Sequence, residues 1–90
     1  MLTMREFPFP LERQFTIEAP EPLQVSAMEI VDEESGVLWA MVATDQPPVT
    51  HTFVMAENDE PLDRAVLGRF YATIRRKRDG RVWHVFGRTG

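Results

Sequence analysis

Few side chains in this sequence could carry covalent chemistry. His51 and His84 are the two histidines, Ser26 and Ser35 the two serines, and there is no cysteine. Two imidazoles and a carboxylate can hold a metal ion, but nothing in the spacing brings these two together. Neither serine lies in a nucleophile motif, and no glycine-rich phosphate loop is present. Thirteen acids fall within residues 1–63, yet no pair sits in the apolar surroundings that separate two carboxylates into acid and base. Lack of cysteine excludes a disulfide scaffold, a thiol nucleophile and a cysteine-rich zinc or iron–sulfur site. The expectation is no catalytic residue, no metal and no cofactor.

Binding chemistry is better represented. Eight of the ten bases fall within residues 64–90, where they alternate with aromatic rings. Asp79-Gly80 between two alternating runs predicts a two-residue hairpin loop. That loop sets Arg78 opposite Arg81, Arg76 opposite Trp83, Ile74 opposite Val85 and Thr73 opposite Phe86. The two-residue period then sorts the hairpin into two surfaces. Phe70, Ala72, Ile74, Trp83 and Val85 form a core face. Tyr71, Thr73, Arg75, Lys77, His84, Phe86 and Arg88 form the other. Guanidinium groups meet phosphates while rings stack on bases, so such a surface suits nucleic acid. It suits an acidic protein equally, because arginine and aromatic residues concentrate at interface centres. A solvated face whose arginine stems cover rings is the plainest alternative. The candidate partner-binding residues are Tyr71, Arg75, Lys77, His84, Phe86 and Arg88.

A second candidate is the acidic patch Asp32, Glu33 and Glu34 on a hairpin tip, with Glu57-Asn58-Asp59-Glu60 further along. Such a cluster can imitate a phosphate backbone or solvate a loop; its spacing matches no calcium loop. Charge is divided along the chain. Residues 1–63 sum to −11 and residues 64–90 to +7, giving the net −4. The division marks either a surface for a charged partner or two parts that neutralise each other within the fold.

The elements that position these residues are short strands punctuated by Pro, Gly and Asp/Asn clusters. Phe7, Phe9 and Leu11 alternate with Pro8, Pro10 and Glu12, an edge strand or polyproline-like lead-in. Phe15 and Ile17 mark one face of a half-buried strand over 13–18. Val25–Val31 and Val37–Ala43 flank residues 32–36 as a hairpin, with Gly36 expected at positive φ. The second arm is apolar at every position, so it is covered on both faces, by the Phe7–Leu11 segment or by a second copy of the chain. Val49–Ala56 is a further β-branched strand. Pro61 to Leu67 allows at most one short helix, ended by Gly68. The fold class expected is all-β: one antiparallel sheet, barrel or sandwich of five or six strands.

Ninety residues, 43% hydrophobic and 27% charged, make one domain over 1–90 and too apolar a chain for disorder. No apolar run reaches the roughly 20 residues that span a bilayer, and Met1–Glu6 is no signal peptide. The expected location is the cytoplasm, with no membrane partner.

The words Phe7-Pro8-Phe9-Pro10-Leu11, Arg13-Gln14-Phe15-Thr16-Ile17, Leu38-Trp39-Ala40-Met41-Val42, Thr52-Phe53, Ala72-Thr73-Ile74 and Val82-Trp83-His84-Val85-Phe86 stand in a familiar order. In them the chain resembles a family of short proteins of unknown function from phages, prophages and bacterial genomes. It departs at Ala56-Glu57-Asn58-Asp59-Glu60-Pro61, where such proteins show a Thr-Gly-His-Pro-like turn and this one keeps only the proline. The resemblance transfers no site. It implies no activity, only a phage accessory protein of the kind that binds a host macromolecule. Small size, divided charge, no catalytic constellation and a doubly apolar strand add to this. Together they give the expectation of a non-enzymatic protein in the cytoplasm of a bacterial host that binds a host protein. Inhibition of that protein, a component of host defence included, is one form this could take. Nucleic-acid binding through the basic aromatic hairpin is the alternative expectation.

Overall fold

Strands form wherever apolar residues recur at every second position, and the computed structural model, which describes residues 1–89, has seven. They are β1 (Leu2–Pro10), β2 (Gln14–Pro20), β3 (Gln24–Ile30), β4 (Ser35–Ala43), β5 (Pro48–Glu57), β6 (Leu67–Arg75) and β7 (Val82–Arg88). All pairings are antiparallel, in a three-stranded sheet β1-β4-β3 and a four-stranded sheet β2-β5-β7-β6. The all-β class is the one expected. The count exceeds five or six because the proline-bearing opening is a full edge strand, paired along its length with β4. Residues 61–63 are irregular and 64–66 form a turn, with no helix among the described residues. Asp63 accepts from the Ala65 N–H at 2.9 Å, and such a local bond competes with a helical one.

The core lies between the sheets. Phe9, Phe15, Ile17, Leu38, Ala40, Val42, Phe53, Met55, Ile74, Trp83 and Val85 are all buried in one cluster. Four rings run through it: Phe9 on Phe15 at 4.9 Å, Phe15 on Phe53 at 5.0 Å, and Phe53 against Tyr71 at 5.3 Å. Each fully buried Phe, Leu, Ile, Val or Met among them contributes about 1.5–3 kcal/mol.

β4 is the central strand of the smaller sheet. Leu38, Ala40 and Val42 point inward and are fully buried. Val37, Trp39 and Met41 point outward and are half-buried between neighbours on β1 and β3. The Phe7–Pro10 stretch lies beside β4 as its ladder partner and does not roof it. Gly36 differs from expectation, since it sits inside β4 without a positive φ. Its reason is close approach: a Cβ there would meet the Phe9 ring and the Glu29 carbonyl oxygen, each at 2.6 Å.

Candidate functional site

The β6–β7 hairpin is closed by a wider loop than Asp79-Gly80 alone. Arg76 donates its N–H to the Arg81 carbonyl at 2.8 Å, and Gly80, at φ 72°, donates to the Arg76 carbonyl at 2.8 Å. Ile74 faces Trp83, Thr73 faces His84 and Arg75 faces Val82, so each partner is displaced by two residues from the predicted register. The cause is Asp79. Its carboxylate accepts from the Arg76 guanidinium at 3.1 and 2.6 Å and from the Arg81 N–H at 3.1 Å, which holds the longer loop around it. A two-residue displacement keeps every side chain on its side of the sheet. Ile74, Trp83 and Val85 are accordingly core.

One exchange is not preserved. The register shifts between Phe70 and Ala72, and the extra residue of a bulge turns the strand over locally. Tyr71 therefore packs on the core cluster beside Phe53 and leaves the predicted binding face. Its ring lies over Gly87, where a Cβ would come within 3.0 Å of it. Phe70, expected in the core, is 51% exposed.

The outer face of the larger sheet thus carries Phe70, Thr73 and Arg75 from β6 and His84, Phe86 and Arg88 from β7. Phe70 and Phe86 meet edge-to-face at 5.4 Å. His84 is held from both ring nitrogens: the Thr73 hydroxyl donates to Nδ1 at 2.9 Å, and Nε2 donates to Asn58 Oδ1 at 2.7 Å. Arg88 donates to Gln14 Oε1 at 2.9 Å. Arg75 and Lys77 are exposed and form no ion pair among the described residues. Lys77 lies in the loop, off the face. Of the six predicted residues, then, Arg75, His84, Phe86 and Arg88 share a face, while Tyr71 and Lys77 do not join them. Sequence reasoning missed Phe70, Asn58 and Gln14. Gly68 and Gly87 were a usable signal for the first, since glycine inside a strand often marks a bulge or a close approach.

The acidic patch is placed against the hairpin loop. Glu33 pairs with Arg78, and its carbonyl accepts from Arg76 at 2.9 Å. Asp32 faces its own loop, accepting from the Glu34 and Ser35 N–H groups at 2.9 and 2.8 Å; the Glu34 N–H first, then the Ser35 side chain, hold its carboxyl below the ordinary range. Arg81 reaches Glu57 at 2.8 Å, and Arg13 reaches Glu60 at 3.0 Å. Arg76 and Arg81 also cover Trp83, at 5.3 and 5.1 Å from its ring centre. The Arg76 guanidinium, then the Arg81 N–H, hold Asp79 well below the usual carboxylate range. The two charged parts of the chain therefore neutralise each other, at least at this tip.

His51 and His84 lie on opposite faces of the larger sheet. His51 faces Ile17, on the core side, and donates to the Ala19 carbonyl at 2.9 Å. Among the described residues no three of His, Asp and Glu stand close enough to hold a metal.

Fold and site define a small antiparallel β-sandwich with an aromatic, cationic outer face. Over residues 1–90 the chain matches the family described as Domain of unknown function (DUF7352), and it belongs to that family. No curated protein and no solved structure matches it.

Proposed function

We propose that this chain is a non-enzymatic protein-binding module whose contact surface is the outer face of the larger sheet. The observation that carries the reading is Phe70, half exposed beside Phe86 on a face that Thr73, His84 and Asn58 hold in place. A rigid aromatic pair flanked by arginine is the composition of an interface centre. The partner is a protein with an apolar patch bordered by carboxylates, which would meet Arg75 and Arg88. The resemblance to phage proteins supplies the setting: the partner is a host protein, such as a component of host defence, that is inhibited by being bound.

Nucleic acid is the weaker reading. Phosphate binding draws on a track of unpaired cations. Arg76, Arg78 and Arg81 are engaged by carboxylates. Arg75 pairs with the first residue of β7 and Arg88 is its last, so the two stand about 20 Å apart at ~3.3 Å per residue.

Affinity capture from host lysate tests both readings. The wild-type chain and Met4→Ser, altered on the other sheet, should retain the same protein, and the Phe70→Ser/Phe86→Ser double variant should lose it. Equal retention by all three would overturn the assignment. A mobility shift with single- or double-stranded probes at low salt, abolished by Arg75→Ala and Arg88→Ala, would install the nucleic-acid reading instead.

A further inference from the structure

β6 is an edge strand, hydrogen-bonded to β7 on one side and to no strand on the other, where β3 packs beside it. In an antiparallel ladder, bonded and non-bonded pairs alternate. Arg76 donates to Arg81, so Ile74–Trp83 is again a bonded pair, and Thr73–His84 and Arg75–Val82 are not. Thr73 and Arg75 therefore turn their backbone N–H and C=O groups to the open side. The same count applies to β3, the edge of the smaller sheet. Val31 donates to the Ser35 carbonyl at 3.1 Å, which makes Glu29–Val37 a bonded pair and turns the backbone groups of Met28 and Ile30 outward. These two open edges border one cleft of about 670 Å³, lined by residues 28–33 on one side and 73–78 on the other.

Edges of this kind are normally blunted by bulges, prolines or charge. The first part of β6 is blunted by its two register shifts, between Leu67 and Ala72, whereas Ala72 to Arg75 pairs regularly. Along that stretch β6 itself carries only positive charge, and β3 with Glu29, Asp32 and Glu33 forms the facing wall of the cleft. Arg75 and Lys77 form no ion pair among the described residues, whereas Arg76 and Arg78 beside them do.

We propose that the open edge of β6 receives an extended segment of the partner protein as an added strand, with acidic residues alternating with apolar ones. The proposal rests on the protein-binding reading above and names the partner's element. Main-chain bonds to Thr73 and Arg75 hold the segment, and its alternate side chains supply selectivity. Residues opposite Thr73 and Arg75 stand on the outer face, where carboxylates meet Arg75, with Lys77 in the loop just beyond. Those between them lie on the inner side, near buried Ile74 and half-buried Met28 and Ile30.

The probe is a short fluorescein-labelled peptide alternating glutamate and valine, followed by anisotropy and by amide NMR shifts of the intact chain. It should bind, with its largest shifts at Thr73 and Arg75. The same peptide N-methylated on its pairing edge, and a lysine–valine peptide, should each bind at least about tenfold more weakly. Arg75→Pro removes an N–H that β7 does not use and should weaken binding beyond the loss seen with Arg75→Gln. The N-methylated peptide repeats that comparison without altering the fold. Failure of the glutamate–valine peptide to bind, or equal binding after N-methylation, would overturn the added strand. Shifts confined to Phe70, His84 and Phe86 would overturn it too, leaving the outer-face reading intact. Shifts at 73–75 with binding unchanged in Phe86→Ser would support the added strand and remove the outer face.

Discussion

The tip of the β6–β7 hairpin and the outer face of the larger sheet are built from the same basic stretch of chain, and they use their cations differently. At the tip, Arg76, Arg78 and Arg81 are engaged by Asp79, Glu33 and Glu57, and two of the three lie over Trp83. On the face and beside it, Arg75 and Lys77 have no carboxylate and Arg88 has only a glutamine. Counting cations would give the two regions equal claim to an acidic partner. Their placement does not: tip arginines complete the fold, and face arginines are open to a partner.

The largest expected effect is at the tip. Trp83→Ala removes a ring that is 9% exposed and uncovers the core beneath two arginines. Such truncations cost about 3–5 kcal/mol, against about 5–15 kcal/mol for a whole small domain. Urea unfolding should show much of the variant population unfolded near physiological temperature. A loss under about 1 kcal/mol would mean that the tip is not part of the core.

The exchanged pair on β6 comes next. Tyr71→Ser should cost about 2 kcal/mol, since its half-buried ring packs on Phe53 and Gly87. Phe70→Ser should stay within about 0.5 kcal/mol of wild type while losing the partner. The reverse order in thermal melts would put Phe70 in the core and remove the bulge.

At the tip, acid acts through Asp79. Asp79 is depressed in the folded chain, first by Arg76 and then by the Arg81 N–H, so it favours folding above its ordinary value near ~4. That stability fades as pH falls from there through the lower folded value. Asp79→Asn should therefore be less stable than wild type at neutral pH, with the gap closing in acid. A gap that is constant with pH would show that the pair contributes nothing. The smallest effect belongs to Arg75→Ala, within about 0.5 kcal/mol in stability yet weaker in partner binding.

These regions also differ in how far the sequence foretells them. The core face of Ile74, Trp83 and Val85 was legible from alternation, and it survived an incorrect loop because the displacement was an even number of residues. Phe70 and Tyr71 were not legible, because one bulge residue reverses what alternation assigns. The division of charge was visible, but not its resolution. Glu33 and Arg78 lie 45 positions apart and meet only because β3 and β6 border the same cleft. In the sequence Gly36 has the look of a turn residue, although its reason is the Phe9 ring and the Glu29 carbonyl across the two ladders.

Site-specific photo-crosslinking tests most directly whether the outer face, and not the tip, meets the partner. A photoreactive side chain would be placed at Phe86 in one variant and at Arg78 in another, each exposed to the same host lysate. The face account predicts one discrete crosslinked protein from position 86, competed away by unlabelled wild-type chain, and none from position 78. Discrete, competed capture from position 78 with none from position 86 would contradict it.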